Sequence, residues 1–310
     1  MAITAIPYSE AERARLRAFI MELQANGAPG CWHAGDLAWG QFLMSIRFDL
    51  AANIRLWQDE RGQLAGFAWF NPSDCFLLMQ YQSGPNQQPV SEAMLAWGHA
   101  RHAETVNSLR AAGSAGAESA PPPLITSAFE DDADRMAWLK GQGLKRGPRS
   151  MVLFRQPLAG ELPAPRLPEG FTVRQVAGDE EIAQRASAHR EAFHPSRITD
   201  EHYHRLRRLP EYEADLDLVA VAADGTVASF CLCWLDPVNK VGLFEPVGTR
   251  PAFQRQGLAK GVLAEGLRRM RSGGMESAIV CANHSNAPAQ KLYASLGFEI
   301  NTYDIDFSTA

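Results

Sequence analysis

No apolar run in the 310-residue chain is long enough to cross a bilayer as a helix. The longest stretches, such as Phe230-Cys231-Leu232-Cys233-Trp234-Leu235, fall far short of the roughly 20 residues required. Glu10, Arg13 and Arg15 interrupt the first twenty residues, so no secretory-signal core is legible there. These absences lead to the expectation of a cytoplasmic protein with no membrane partner. An excess of positive charge is missing too: 30 Lys and Arg stand against 35 Asp and Glu, a net charge of -5. A sequence-independent grip on nucleic acid needs dense Lys and Arg, so no nucleic-acid partner is expected. The local exception, Arg197, Arg205, Arg207 and Arg208 with His202 and His204, is diluted by Glu201, Glu211 and Glu213 and reads as a solvated helix face. The five cysteines form no paired framework and no CxxC redox pair. Cys231 and Cys233, two apart in a strand-like run, point to one face, and buried, reduced thiols are expected. Gly-x-Ser-x-Gly is absent, and no nucleophilic triad is evident. His99 and His102 have a helical spacing that can bind metal, but no second ligand pair accompanies them, so no metal site is expected.

What the chain does have is core material. Its 46% hydrophobic and 21% charged content is that of a globular protein, and its length suits two domains. Four prolines between Gln156 and Gly170 punctuate the middle and predict an extended connector. Expected boundaries are therefore a first domain over 1–155, a Pro-rich linker over 156–169 and a second domain over 170–310. The Ala, Gly and Ser-rich stretch from Ala111 to Pro123 reads as a long surface loop.

The halves look like degenerate copies. Asp59-Glu60-Arg61-Gly62-Gln63-Leu64-Ala65-Gly66-Phe67 and Ala223-Asp224-Gly225-Thr226-Val227-Ala228-Ser229-Phe230 are each a charged turn feeding an apolar strand. Trp138 to Leu144 and Leu292 to Phe298 are each a short amphipathic helix closed by glycine, and each half then ends in a strand-like run, Ser150 to Phe154 and Ile300 to Phe307. The second half predicts strands over 171–176, 217–222, 227–235, 242–249 and 277–281, with helices over 180–192, 200–208, 258–271 and 287–295.

Chemistry concentrates in Glu245-Pro246-Val247-Gly248-Thr249-Arg250-Pro251-Ala252-Phe253-Gln254-Arg255-Gln256-Gly257-Leu258-Ala259-Lys260, a strand, a loop and the head of a helix. Small residues at a helix head expose unpaired N–H groups and the positive end of the helix dipole, a seat for pyrophosphate. Equally, Gly257 fits a plain strand-to-helix turn. Downstream, Asn286 reads as a helix cap with Pro288 in the first turn, and Tyr293 and Leu296 share a face. Tyr293 is either a buried aromatic or a phenol beside a leaving sulfur.

Together these motifs resemble the GNAT superfamily of N-acetyltransferases, in its tandem two-domain form. The superfamily's acyl-CoA loop, Gln/Arg-x-x-Gly-x-Gly/Ala, is matched at Gln254, Gly257 and Ala259. Its later helix, Asn-x-x-Ala-x-x-Leu-Tyr-x-x-Leu-Gly-Phe, is matched at Asn286, Ala289, Leu292, Tyr293, Leu296, Gly297 and Phe298. The resemblance implies an α/β (α+β) protein of two tandem GNAT-like domains, each a mixed, mostly antiparallel central sheet flanked by helices. It also implies acetyl-CoA as co-substrate, with the backbone of Arg255, Gln256, Gly257, Leu258, Ala259 and Lys260 on its pyrophosphate. Val247, Gly248 and Thr249 would lie along the pantetheine arm, Gln254 and Asn286 would brace the cofactor, and Arg255, Lys260 or Arg268 would reach the 3′-phosphate. The implied reaction is direct acyl transfer from thioester to amine, with Tyr293 as the acid and Glu245 as the base. Many members place the glutamate at the position of Leu243; Glu245 keeps the same strand face by parity, and a salt-bridged strand residue is the competing reading of it.

The first half lacks this equipment. Its corresponding loop, Gln80 to Pro89, breaks the Gln-x-x-Gly-x-Ala spacing, Pro85 and Pro89 each remove an amide, and Leu139 stands where Tyr293 does in the second half. A degenerate first domain that buttresses the second or walls its acceptor cleft is expected. Its six tryptophans, Trp32, Trp39, Trp57, Trp69, Trp97 and Trp138, read mainly as core, with one or two available for a pocket. The acceptor is expected to be a small-molecule amine, with Phe193-His194-Pro195 and Trp234-Leu235-Asp236 as its lining. An acyl-CoA-binding regulatory protein without turnover and a protein or peptide N-acetyltransferase are the alternatives.

Overall fold

The computed structural model describes residues 3–28, 30, 32–112 and 120–309. Most of the Ala, Gly and Ser-rich segment, 113–119, and Cys31 lie outside the described residues. In chain order the elements are β1 (Thr4–Pro7), α1 (Arg13–Ala25), α2 (Ala34–Ser45), α3 (Leu50–Asn53), β2 (Ile54–Gln58), β3 (Leu64–Asn71), β4 (Phe76–Tyr81), α4 (Gln87–Ala111), β5 (Ile125–Phe129), α5 (Ala133–Gly141) and β6 (Lys145–Pro157). They continue as β7 (Phe171–Gln175), α6 (Ile182–Ala192), α7 (Asp200–Leu206), β8 (Asp217–Ala222), β9 (Val227–Asp236), β10 (Val241–Thr249), α8 (Leu258–Ser272), β11 (Ser277–Asn283), α9 (Ala287–Ala294) and β12 (Glu299–Ser308).

The chain forms two compact units that do not simply follow its halves. One comprises 1–32, 47–151 and 302–310; the other comprises 33–46 and 152–301. In the first, β1, β2, β3 and β4 pair antiparallel in sequence order, β4 meets β5 in parallel, and β5 pairs antiparallel with β12. In the second, β7, β8, β9 and β10 repeat that antiparallel run, β10 meets β11 in parallel, and β6 lies beyond β11. Both units are thus mixed, mostly antiparallel sheets flanked by helices. The terminal strands are crossed: β12, at the end of the second half, completes the first unit's sheet, while the latter part of β6 completes the second's. Strand pairing is decided by partners far away in sequence, so a run of alternating residues does not announce which sheet it joins.

The duplicated turns have matching backbones. Gly62 and Gly225 take φ of 75° and 86°, and Gly143 and Gly297 take 85° and 98°, the left-handed region where a Cβ is penalised. The first unit's core gathers Trp57, Phe70, Leu77, Met94, Leu139 and Phe307, among others. In the second unit α2 packs on β9 and β10, setting Ala38, Trp39 and Phe42 against Trp234, Leu243 and Ile182. The Pro-rich segment is extended but not free: Leu158 and Leu162 are buried, the Leu158 N–H donates to Glu276 O at 2.8 Å, and Leu167 lies against Gly261 of α8. Cys75, Cys231 and Cys233 are buried, with 4.0 Å between the last two sulfurs; Cys281, by contrast, is exposed, because β11 has lost its neighbour there. His99 and His102 lie on α4, and among the described residues no three potential ligands cluster for a metal. No helix among them is long and apolar enough to cross a membrane.

Candidate active site

The site begins where β10 and β11 part. Their parallel register runs from Val241↔Ser277 to Phe244↔Val280 and stops. Beyond it, β10 carries Glu245 to Thr249 and β11 carries Cys281 to Asn283, so each strand has an edge freed from the other. The cause lies on the opposite side of β10, where the register with β9 slips between Phe244 and Val247. Glu245 and Pro246 occupy this bulge, which bends a strand and re-aims its side chains. Val247, Gly248 and Thr249 then resume pairing with Cys231, Phe230 and Ser229. A Cβ on Gly248 would meet the Phe230 ring at 2.4 Å, so only glycine lets the strand lie flat there. Arg250 anchors the strand end, donating from Nε to Val227 O and pairing with Glu191.

After the strand, Pro251–Phe253 form a single 3₁₀ turn, and Gln254, Arg255 and Gln256 lead out exposed. Arg255 and Gly257 both take positive φ, 62° and 83°. Gly257 caps α8 in the left-handed conformation, and a Cβ there would meet nothing within 4 Å. The amides of Leu258, Ala259 and Lys260 form the helix's first turn and have no intrahelical acceptor, so they face the open space in front of Gly257. Val247, Gly248 and Thr249 thereby lie along the freed edge of β10, and Gln254 to Lys260 lead into the head of α8. An extended, anion-headed molecule fits this cradle: a strand edge for amide hydrogen bonds, then unpaired N–H groups at a dipole's positive end.

On α9, Asn286 acts as the N-cap: its side chain accepts the Ala289 N–H at 3.2 Å, with Pro288 in the first turn. Tyr293 is 5% exposed and is held edge-on between Phe154 and Phe298. Burial, with Cys281, Cys231 and Glu245 nearby, pushes its phenol well above the usual range, so it carries its proton at neutral pH.

Glu245 points toward the head of α2, a segment sequence reasoning left with the first half. Asp36 is the third residue of α2, and its Oδ2 accepts the His33 N–H at 2.8 Å in a capping box. The carboxyl groups of Asp36 and Glu245 face one another closely enough to interact. Burial raises both, and at Glu245 the Asp36 charge adds to the effect. Glu245 Oε2 is buried with no hydrogen-bond partner. The contact is fixed by the backbone: the Trp234 indole donates to Glu245 O at 2.6 Å, while His33 Nδ1 accepts the Gly35 N–H and its Nε2 meets Val241 O at 3.0 Å. Since Val241 O can only accept, the His33 Nε2–H donates to it. Nothing in the local pattern around Asp36 signals this role; an acidic residue three positions after a helix cap reads only as a cap.

Two expectations about the acceptor lining change. Trp234 is 1% exposed in the core under α2, and Asp236 is fully buried, accepting the N–H groups of Val238 and Asn239. Strand β9 is buried along almost its whole length because α2, α6 and α8 pack on it. Phe193, 42% exposed and packed on His189 and Phe230, remains open. Leu243 is 1% exposed within the apolar cluster of Trp39 and Phe42, so a carboxylate at that position would sit inside hydrocarbon.

Residues 183–298 match the acetyltransferase (GNAT) family. This stretch is a GNAT acetyltransferase domain. The mycothiol acetyltransferase of Saccharomonospora viridis is 33% identical over 177 residues, 54% of this chain and 58% of that protein. That of Thermomonospora curvata is 27% identical over 274 residues, covering 87% of this chain and 86% of the relative. Among solved structures, a GCN5-related N-acetyltransferase from Sphaerobacter thermophilus matches with a TM-score of 0.64 at 19% identity, over 99% of this chain and 95% of that one. A tandem GNAT protein from the clavulanic acid biosynthesis pathway matches at 0.61 and 14% identity, over 99% and 98%. At such identities these structures establish the fold. The matched stretch contains the parted strands, the head of α8 and all of α9.

Proposed function

We propose that the chain is an acetyl-CoA-dependent N-acetyltransferase that passes an acetyl group directly to a primary amine of a small molecule. The observation that carries this reading is the parting of β10 and β11 in front of a glycine-headed helix, with Tyr293 and Glu245 near the gap. Main-chain N–H groups of Arg255 to Lys260 would hold the pyrophosphate, and Val247, Gly248 and Thr249 would pair with the pantetheine arm. Gln254 and Asn286 flank that path; the Asn286 side chain already caps α9, so its part is to fix the helix that presents Tyr293. Acetyl-CoA supplies a thioester carbon open to attack by an unprotonated amine.

The chain's own residues then have two proton tasks. Glu245 takes a proton from the acceptor's ammonium group, leaving the nitrogen lone pair free. Tyr293, kept protonated by its surroundings, donates to the departing sulfur. The N–H of Val247 or a neighbour polarises the carbonyl as charge builds on its oxygen. A small acceptor is supported by α2, which covers the face of β9 and β10 that carries Glu245, and by relatives whose names specify mycothiol rather than a protein. The test is to incubate the chain with acetyl-CoA and separate panels of small primary amines and peptides, following thiol release and product mass. Acetylation of small amines is expected. Acetyl-CoA binding without turnover would leave a binding protein, and preference for peptide amines would replace the small acceptor.

A further inference from the structure

Two buried carboxyl groups set against one another are stabilised by holding one proton between them, because like charges at short range cannot both ionise cheaply. Asp36 and Glu245 are so placed by tertiary packing alone: Gly35 abuts Trp234, whose indole donates to Glu245 O, and His33 at the head of α2 meets Val241 O. Each is secured separately: Asp36 by the His33 N–H at the head of α2, Glu245 by its place in the β10 bulge and the Trp234 indole on its carbonyl. The head of α2 favours negative charge on Asp36, because the helix dipole is positive there. The shared proton therefore resides on Glu245. Glu245 Oε2 is a buried acceptor that no protein N–H or O–H reaches, an arrangement that costs about 1–3 kcal/mol.

Resting on the transferase reading, we propose that Asp36 and Glu245 work as one proton-accepting pair, Glu245 receiving the proton of the acceptor's ammonium group and Asp36 holding the carboxyl group that results. In the fully ionised pair two adjacent negative charges attract the ammonium. One N–H bond then breaks, its electron pair stays on nitrogen, and an O–H bond forms on Glu245. The new O–H donates to Asp36. After acyl transfer the nitrogen has lost two protons: one leaves with the thiol through Tyr293, the other returns to solvent from the pair. Asp36 acts through Glu245 and is a positioning residue. The other titratable groups facing the pair are His33 at the head of α2, whose charge favours the ionised form of Asp36, and the Tyr293 phenol on α9. Burial and mutual repulsion raise the affinity of both carboxyls for a proton, in the direction a base for an ammonium ion requires.

Infrared difference spectroscopy of the full chain tests the pair without relying on turnover. Wild type, Asp36→Asn and Glu245→Gln are compared at about pH 6, well above the ordinary carboxylate range. The wild-type-minus-variant spectra are expected to contain a protonated carboxyl C=O band, lost in both variants. If only ionised carboxylate bands differ, the proposal fails. Asp36→Asn keeps an acceptor for the His33 N–H and a donor for Glu245, so circular dichroism and acetyl-CoA binding should match wild type. With an amine that turns over, the acid limb of the kcat/KM profile should move at least tenfold in proton concentration toward lower pH in Asp36→Asn. A superimposable profile would also overturn the pair. The band without turnover of any amine would refute the transferase reading while the shared proton stands.

Discussion

Gly35→Ala probes the contact that brings Asp36 to Glu245 without touching either carboxyl group. A Cβ at Gly35 would lie 2.4 Å from Trp234 Cβ, 2.6 Å from Trp234 Cγ and 3.0 Å from His33 Nδ1. Carbon atoms rest about 3.5–4.0 Å apart, so roughly 1 Å of movement is needed. Trp234 Cβ is fixed to a central strand and its ring is 1% exposed, leaving the head of α2 to give way. Overpacking of this kind costs about 1–3 kcal/mol. With a urea dependence of about 2 kcal/mol per molar, the transition of the second unit should fall by about 0.5–1.5 M. Tryptophan fluorescence during urea unfolding reads it directly, since Trp234 lies in the contact. Gly141→Ala, at the end of α5 with nothing within 4 Å, is the control and should be neutral or stabilising by up to about 1 kcal/mol. An unchanged midpoint in Gly35→Ala would refute the docking of α2 on β9.

Tyr293→Phe keeps the ring between Phe154 and Phe298, so acetyl-CoA binding should persist while turnover falls by about 10²-fold or more; full activity would remove its role as acid. Asp217 accepts hydrogen bonds from Arg185, Tyr203 and Tyr212 with Arg185 wholly buried, so Asp217→Asn should cost about 3–5 kcal/mol in a denaturant titration. His189, buried against Phe193 and Phe230, has its pKa lowered to about 3, first by burial and then by Arg185 and Arg190. The unfolded chain therefore takes up a proton there that the folded chain refuses. Its stability is full above about pH 6.5 and declines as pH falls toward 3, by up to about 1.4 kcal/mol per pH unit. Replacing His189 with Asn should flatten that part of a stability–pH curve; an unchanged slope would contradict the assignment.

Most of the second unit was legible because its elements obey local rules. The 3.6-residue period of Leu258, Val262, Leu263, Leu267 and Met270 fixed α8, and all five side chains are buried. Gly225 and Gly257 marked the turns that need positive φ. The crossed strands β6 and β12 were not legible, since alternation specifies a strand and not its partner. Nor was the place of 33–46: the apolar face of α2 suits any core, and only the shape around Gly35 and Trp234 selects this one. Asp36 was missed for the same reason, because its partner is chosen by tertiary packing. Trp234 does not line an open cleft because α2 packs over it, and which helix covers a strand face is decided by tertiary packing rather than by the strand's sequence.

Isothermal titration of the full chain with acetyl-CoA tests the central claim most directly. One site per chain is expected, abolished by Gly257→Val, which puts a β-branched residue at φ 83° on the head of α8 and bulk into the space before its amides. No binding, or binding that survives Gly257→Val, would contradict the assignment of this site.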